Sequence, residues 1–151
     1  MHAWQKVHDG VEAVFDLDEA KMLENLAEQL KRLHRAAGQG ALNFEDPAVL
    51  RLYPDAYDDA EEAHEFRRLA LPELAAARER YHDAVIVGSV TAKREGDTAT
   101  VHVGSEEIDD WLRALSDMRL VLTTRVEQGN EAFQGVTDWL GYVQATLLEV
   151  L

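Results

Sequence analysis

The chain has 151 residues, of which 46% are hydrophobic, which is enough for the core of one ordinary domain. Its 29 acidic residues outnumber 15 Lys and Arg, and the net charge of −14 argues against non-specific binding to nucleic acid or anionic lipid. The absence of cysteine excludes disulfides, thiolate nucleophiles and cysteine-based metal sites. We therefore expect one domain, residues 1–151, without a cofactor.

The chain has neither a transmembrane run nor the plan of a secretory signal. No stretch reaches the roughly 18 apolar residues of a membrane span, and the N-terminus lacks a basic segment followed by an apolar one. We expect a cytoplasmic protein with no membrane partner.

The segment from Trp4 to Phe15 predicts a β-hairpin. Asp9-Gly10 tolerates the positive φ of a two-residue turn, and the flanking residues alternate in the manner of strands. The alternation places Val11, Ala13 and Phe15 on one face.

Two helices follow, each with a recognisable start. Asp16 as N-cap, with Glu19 three residues later, predicts a helix over about 17–37 that ends before Gly38. Asp46-Pro47 predicts a short helix to about Leu52, which Pro54 ends. The last turns of the first helix carry cations that either complement its negative end or contact an anion or nucleic acid: Lys31, Arg32, His34 and Arg35. The turn over Leu52 to Tyr57, with its two tyrosines, is interpreted as a packed corner.

The middle of the chain predicts two further helices separated by Pro72. The first runs from about Asp58 to Ala70 with Ala63, Phe66 and Leu69 facing inward. The apolar residues of the second, at helical spacing, are Leu74, Ala77, Tyr81, Ala84 and Val85.

Residues 84–91 satisfy both a helical and a β-branched strand pattern, so their structure stays open. Thr98 to Val103 alternates after a turn and predicts a strand, which could join the N-terminal hairpin because an isolated hairpin is marginally stable.

The strongest helical period lies between Ser105 and Arg125, and we predict that this segment is the central helix of the fold, with Ser105 as its N-cap. A last helix is predicted from about Glu131 to the end. The fold class is therefore mainly α, a helical bundle around the central helix with a small antiparallel β-element. The core positions assigned from these two helices are Trp111, Leu112, Leu115, Leu122 and Trp139.

Charges on the central helix require partners, because an unpaired charge near a buried segment is costly. We interpret Arg113, Asp117, Arg119 and Arg125 as a structural set of ion pairs, with Asp117 paired to Arg119 or Arg125. Contact with a binding partner is the alternative.

The chain shows little evidence for catalysis. Glu61 and His64 form a single E-x-x-H step, which offers two ligands where a stable site needs about four, so we expect no metal there. Nucleophile elbows, phosphate-binding loops, zincin motifs and EF-hand loops are absent from the sequence. We predict a protein that is not an enzyme, with a carboxylate-metal enzyme as a distant alternative.

Several segments together resemble the AosR-type family of oxidative-stress transcriptional regulators of actinobacteria, long catalogued as a domain of unknown function. The run over 111–125, read WLRALSDMRLVLTTR, is the specific motif. The supporting segments are Val11 to Leu33, the corner Leu52 to Tyr57 with Glu65 to Leu69, and Asp138-Trp139-Leu140 followed by Gln144.

The resemblance implies a non-enzymatic regulatory protein. The redox response of such a regulator is expected to use a cysteine pair, which this chain lacks. The partner is either specific DNA or a protein bound by an adaptor, and a homodimer stays open. The basic residues available for DNA or partner contact are Lys31, Arg32, Arg35, Arg67 and Arg68.

Overall fold

The sheet contains the predicted hairpin and the predicted third strand. The computed structural model describes residues 1–55 and 58–151. Its four antiparallel strands, in the spatial order β1-β2-β4-β3, are β1 His2–Val7, β2 Gly10–Asp16, β3 Lys93–Glu95 and β4 Thr98–Gly104. β4 pairs with β2 from Gly10 opposite Gly104 to Asp16 opposite Thr98. The sequence did not predict β3, a three-residue edge strand with exposed side chains.

One face of this sheet belongs to the core. Val11, Ala13 and Phe15 alternate with more exposed neighbours along β2 and are almost fully buried, as predicted. On the edge strand β1, Trp4 is buried as well, and its indole Nε1 donates a hydrogen bond to the carbonyl of Val143 at 3.2 Å.

Helices α1 (Leu17–Gly38) and α2 (Pro47–Leu52) begin where their caps predict. The backbone N–H of Asp16 donates to Glu19 Oε1 at 2.8 Å, which is the interaction that the D-x-x-E spacing indicates. At α2, Asp46 Oδ1 accepts from Ala48 N at 3.0 Å, ahead of a first-turn proline. The corner that follows α2 includes positions 56 and 57, which lie outside the described residues.

Helix α3 (Ala60–Val90) passes through Pro72, so the predicted break was wrong. A proline inside a helix removes one hydrogen bond and crowds the preceding turn. Here the residues on both sides, Leu71 and Ala75, are buried, and α1 approaches so closely that a Cβ at Gly38 would lie 3.4 Å from the Ala75 Cβ. Tertiary packing on both sides of Pro72 therefore holds the helix together, and α3 also includes the segment 84–90 that the sequence left open.

The predicted inward face of α3 was partly wrong. Phe66 and Leu69 are 38% and 65% exposed, and Leu74 is 40% exposed. In the second half of α3 the buried face carries two polar residues, His82 and Ser89, which hydrophobic periodicity does not assign to the core. The other buried residues of α3 are Ala63, Leu71, Ala75, Val85 and Gly88.

Helix α4 (Ile108–Glu127) contacts each of the other four α-helices, which confirms its central position. A 3₁₀ turn, Ser105–Glu107, precedes it, so the α-helix begins three residues after the predicted start. Ser105 does not cap α4. Its backbone N and its Oγ instead donate to the carbonyl of Asp9, at 3.0 and 3.1 Å, and thereby join the entry of α4 to the hairpin turn.

Helix α5 (Gln134–Glu149) follows the 3₁₀ turn Glu131–Phe133 and packs against α4 and β1. Within the described residues, none of the helices combines the length and apolar character needed to cross a bilayer. The fold class, mainly helical with a small antiparallel sheet, is as predicted.

The core residues assigned from sequence differ in burial. Trp111 and Leu115 are fully buried and Leu122 is 6% exposed, whereas Leu112 and Trp139 are half-buried at the edge of the core. Trp111 packs edge-on against the Trp4 ring, with centroids 5.5 Å apart. It thus links the central helix to the sheet.

Candidate functional site

Three helices bring ionisable side chains together inside the molecule. His34 of α1, His82 of α3 and Asp117 of α4 each offer one possible metal-ligand atom, and these atoms lie within 4.8 Å of one another. We call these three residues the histidine–aspartate cluster. Both imidazoles are fully buried, and the Asp117 side chain is 18% exposed.

The helical repeat places both histidines in the contact between α1 and α3. His34 is four residues after the buried Leu30 and three before the buried Ala37. His82 is three residues before the buried Val85. Sequence reasoning counted His34 among the cations at the end of α1 and did not single out His82, although the position of each on a buried stripe is a signal of burial.

His34 hydrogen-bonds through both ring nitrogens. Its Nε2 lies 3.1 Å from Asp117 Oδ2, and its Nδ1 contacts the Tyr53 hydroxyl. A carboxylate only accepts hydrogen bonds, so a neutral His34 donates from Nε2 to Asp117 and accepts at Nδ1 from Tyr53. Burial raises the pKa of Tyr53 to about 12, which keeps this hydroxyl protonated at neutral pH.

His82 has one ring nitrogen without a partner. Its Nδ1 lies 2.9 Å from the carbonyl oxygen of Arg78, and because a carbonyl only accepts, Nδ1 carries the hydrogen. The lone pair therefore sits on Nε2, which is buried and has no hydrogen-bond partner within the described part of the chain. Burial lowers the pKa of His82 to about 4, so the ring is neutral at pH 7.

A surface cleft of about 260 Å³ leads to Asp117 from outside. Arg78 and Arg113 stand on its walls: Arg78 lies over the Tyr53 ring, 4.4 Å from its centroid, and Arg113 donates to Asp109 Oδ2 at 2.9 Å. The cluster is thus closed towards the core and approached through Asp117. The remaining lining residues are Tyr81, Leu112 and Ser116.

The predicted ion pairs of Asp117 were wrong. Positions 117 and 119 are two residues apart and point to different sides of α4, while Arg125 is about 12 Å further along the helix. Arg125 instead forms a two-pronged pair with Asp46, with both distances 2.7 Å, and its hydrogen bonds lower the pKa of Asp46. Arg119 donates to Gln144 Oε1 at 2.7 Å.

The basic residues considered for DNA contact are mostly paired within the chain. Lys31 lies 2.7 Å from Asp83, and Arg35 lies 3.0 Å from Glu79. Both ion pairs connect side chains of α1 and α3. Arg32 is exposed, and no ion pair of it occurs in residues 1–55 and 58–151.

The second basic group is separate from the first. Arg67 pairs with Asp55 and Arg68 with Glu65, and both arginines line a cavity of about 440 Å³ beside the end of α1. Along α3, Arg68 is about 16 Å from Glu79, at 1.5 Å per residue. The structure therefore does not bring the candidate DNA contacts into one basic surface.

Glu61 and His64 are both exposed on the first turns of α3. Among the residues that the structure describes, they do not belong to a group of metal-capable side chains, whereas the histidine–aspartate cluster does.

Comparison with known proteins places the whole chain in one family. A family model described as "Domain of unknown function (DUF2017)" matches residues 1–151, so the chain belongs to the DUF2017 family. Searches of curated proteins and of solved structures found no significant match.

Proposed function

We propose that this member of the DUF2017 family is a non-catalytic, cytoplasmic regulatory protein, of the kind that its resemblance to the AosR-type regulators implies, and that it acts by binding a protein partner. The observation that supports this proposal is an exposed apolar surface on the first half of α3. We call it the α3 stripe, and its members are Phe66, Leu69 and Leu74.

The α3 stripe has the spacing of a helix-binding surface. At 100° per residue, the three side chains fall within an arc of about 140°. Single exposed leucines are normal on protein surfaces, but apolar residues grouped on one helix face are typical of a site for another protein. Leu69, at 65% exposure, is the most exposed large apolar residue of this surface.

Charges beside the α3 stripe favour a basic partner. Glu62 and Glu73 are exposed on the same half of the helix, where Glu65 and Arg68 pair with each other, and the chain as a whole carries a charge of −14. A second copy of the chain would bring the same negative charge to the contact. We therefore infer a protein whose contacting surface is apolar and bordered by lysine and arginine.

Direct binding to promoter DNA is the second candidate, because the resemblance implies it. Four of the five basic residues considered for this role already form an ion pair with a carboxylate of the same chain, so contacts to DNA phosphates would have to replace these ion pairs. A response to peroxide would not use thiols in either case, since cysteine is absent. These features support a protein partner over DNA.

Affinity capture from native cytoplasm, with and without nuclease, tests the proposal. We expect a defined protein that the unaltered chain retains after nuclease treatment, and that Leu69→Asp with Leu74→Asp loses. A matched control, Leu148→Asp with Leu151→Asp, adds the same charge at exposed apolar positions in and after α5 and should retain the partner.

Three outcomes would contradict the proposal. Equal loss in the stripe and control variants would show that added charge, rather than the stripe, disrupts binding. A dimer in sedimentation that Leu69→Asp abolishes would make a second copy the occupant. Direct DNA binding would be favoured by sequence-specific gel shifts on the DNA upstream of the protein's own gene. These shifts should weaken with salt and be lost in the double variant Arg32→Ala with Arg35→Ala.

A further inference from the structure

We infer that the histidine–aspartate cluster, His34, His82 and Asp117, binds a divalent first-row transition metal ion such as Zn²⁺. This inference goes beyond the proposed function and does not depend on it, because it concerns the interior of the molecule rather than the α3 stripe. It also concerns different residues from Glu61 and His64.

The donor set is suited to such an ion. Two imidazoles and one carboxylate are the ligands of many sites that bind zinc or ferrous iron through three protein groups and leave a further position open. All three donors come from helices that contact one another, so the backbone already holds them in place. The hard ions Mg²⁺ and Ca²⁺ prefer oxygen ligands and fit this set poorly.

The orientation of His82 is the observation that points to a ligand. Its Nδ1–H is held by the Arg78 carbonyl, which is the outer contact that metal-binding histidines commonly make. That contact fixes the lone pair on Nε2, and Nε2 is fully buried without a hydrogen-bond partner in the described residues. In the metal-free fold, the burial of this acceptor without a hydrogen bond lowers stability, whereas a metal ion would bind to its lone pair.

A neutral His34 can become a ligand by a change of tautomer alone. With Asp117 as the acceptor, the hydrogen of a neutral His34 lies on Nε2, 3.1 Å from Asp117 Oδ2. In the other neutral tautomer the hydrogen lies on Nδ1 and is donated to the Tyr53 oxygen, which frees Nε2 for the metal. Tyr53 then serves as the outer contact of His34, in the same way that Arg78 serves His82.

The distances require a modest closure. Ligands about 2.1 Å from a tetrahedral ion are about 3.4 Å apart, whereas the widest separation permitted within the cluster is 4.8 Å. Asp117 is the partly exposed member and can adjust from the cleft side. The fourth position then faces the cleft, where water or a small anion could occupy it.

One charge opposes the ion. The Arg78 guanidinium lies near the cluster, over the Tyr53 ring, and repels a cation, while Asp117 supplies the one negative charge among the ligands. Asp117→Asn should therefore be severe, since it removes this charge and preserves the shape of the side chain.

Titration of the tag-free, chelator-treated full chain tests the inference. Zn²⁺ is followed by calorimetry and Co²⁺ by its visible absorption, which reports coordination geometry. We expect one equivalent of each, with Zn²⁺ displacing Co²⁺. In Asp117→Asn and His82→Gln we expect at least about 100-fold weaker binding, because each variant alters a direct ligand and the loss of an outer contact alone costs up to about 100-fold.

The matched control is His64→Gln, which removes an exposed histidine of the same helix and should bind as the unaltered chain does. Circular dichroism checks that the variants fold, and if His82→Gln does not fold, Asp117→Asn alone decides. Absence of stoichiometric binding by the unaltered chain would overturn the inference. So would binding that Asp117→Asn leaves intact, or binding that is lost in His64→Gln, which would assign the metal to the surface.

Discussion

Acid should destabilise this protein through His82, and the burial of that residue gives the size of the effect. The pKa of a histidine in an unfolded chain is about 6.5, and burial lowers the pKa of His82 in the native state to about 4. The groups that face it act in both directions: the hydrogen bond to the Arg78 carbonyl and the charge of Asp117 raise its pKa, while His34 and the Arg78 guanidinium lower it further. Burial is the largest of these influences.

The sign follows from proton binding. Between about pH 6.5 and pH 4 the unfolded state binds a proton at His82 and the native state does not, so stability falls as the pH is lowered through this window. A gap of about 2.5 pH units, at 1.36 kcal/mol each, corresponds to about 3 kcal/mol of unfolding free energy. Above pH 6.5 both states are neutral at this position and the contribution to the pH dependence vanishes.

The assay is equilibrium urea unfolding between pH 7 and about pH 4.5, with chelator present so that no metal occupies the cluster. Down to about pH 4.5 the unaltered chain should lose about 2.5 kcal/mol more than His82→Gln, which is most of the roughly 3 kcal/mol available over the full window. His64→Gln, at an exposed position, should behave as the unaltered chain does. Parallel curves for the unaltered chain and His82→Gln would refute the reasoning, because His82 would then titrate equally in both states.

Three further predictions concern the core and one surface pair. Trp111→Ala removes the indole that packs against Trp4 and should cost about 3–5 kcal/mol in urea unfolding, whereas a loss below about 1 kcal/mol would place Trp111 outside the core. Gly88→Ala places a Cβ 2.7 Å from Trp111 Cζ2 and should lower the free energy of unfolding by about 1–3 kcal/mol, seen as a lower melting temperature, even though alanine favours helix more than glycine does. A higher melting temperature would show that the indole can move. A double-mutant cycle on Asp46→Asn and Arg125→Gln should give a coupling of about 1 kcal/mol that weakens with salt, and zero coupling at low salt would contradict the two-pronged pair.

The predictions that held were those that depend on neighbours in the sequence. The hairpin forms around Asp9-Gly10 as predicted, although its turn residues are His8 and Asp9, and Gly10, the first residue of β2, does not have the positive φ that the prediction assumed. Asp16 with Glu19, and Asp46 with its proline, start α1 and α2 through contacts made within three residues. Such signals predict local structure correctly because they depend only on residues that are close in the sequence.

The predictions that failed depended on distant parts of the chain. A proline ends a helix unless packing on both sides outweighs its cost, and at Pro72 that packing comes from α1, more than thirty residues earlier. Hydrophobic periodicity counts histidine as polar and places it outside. The sequence therefore does not identify His34 and His82 as a pair, since only the contact between α1 and α3 shows that both are buried in the core.

Because it is buried, the histidine–aspartate cluster is stronger evidence for a function than the ion pairs on the surface. An exposed ion pair such as Arg35 with Glu79 contributes little to stability and is compatible with many functions. A buried polar set is different, because apolar residues of similar volume often give equal or greater stability, and the lone pair of His82 has no hydrogen-bond partner among the residues that the structure describes. Stability alone thus gives no reason for two imidazoles and a carboxylate where three helices meet, whereas a ligand at that point gives one.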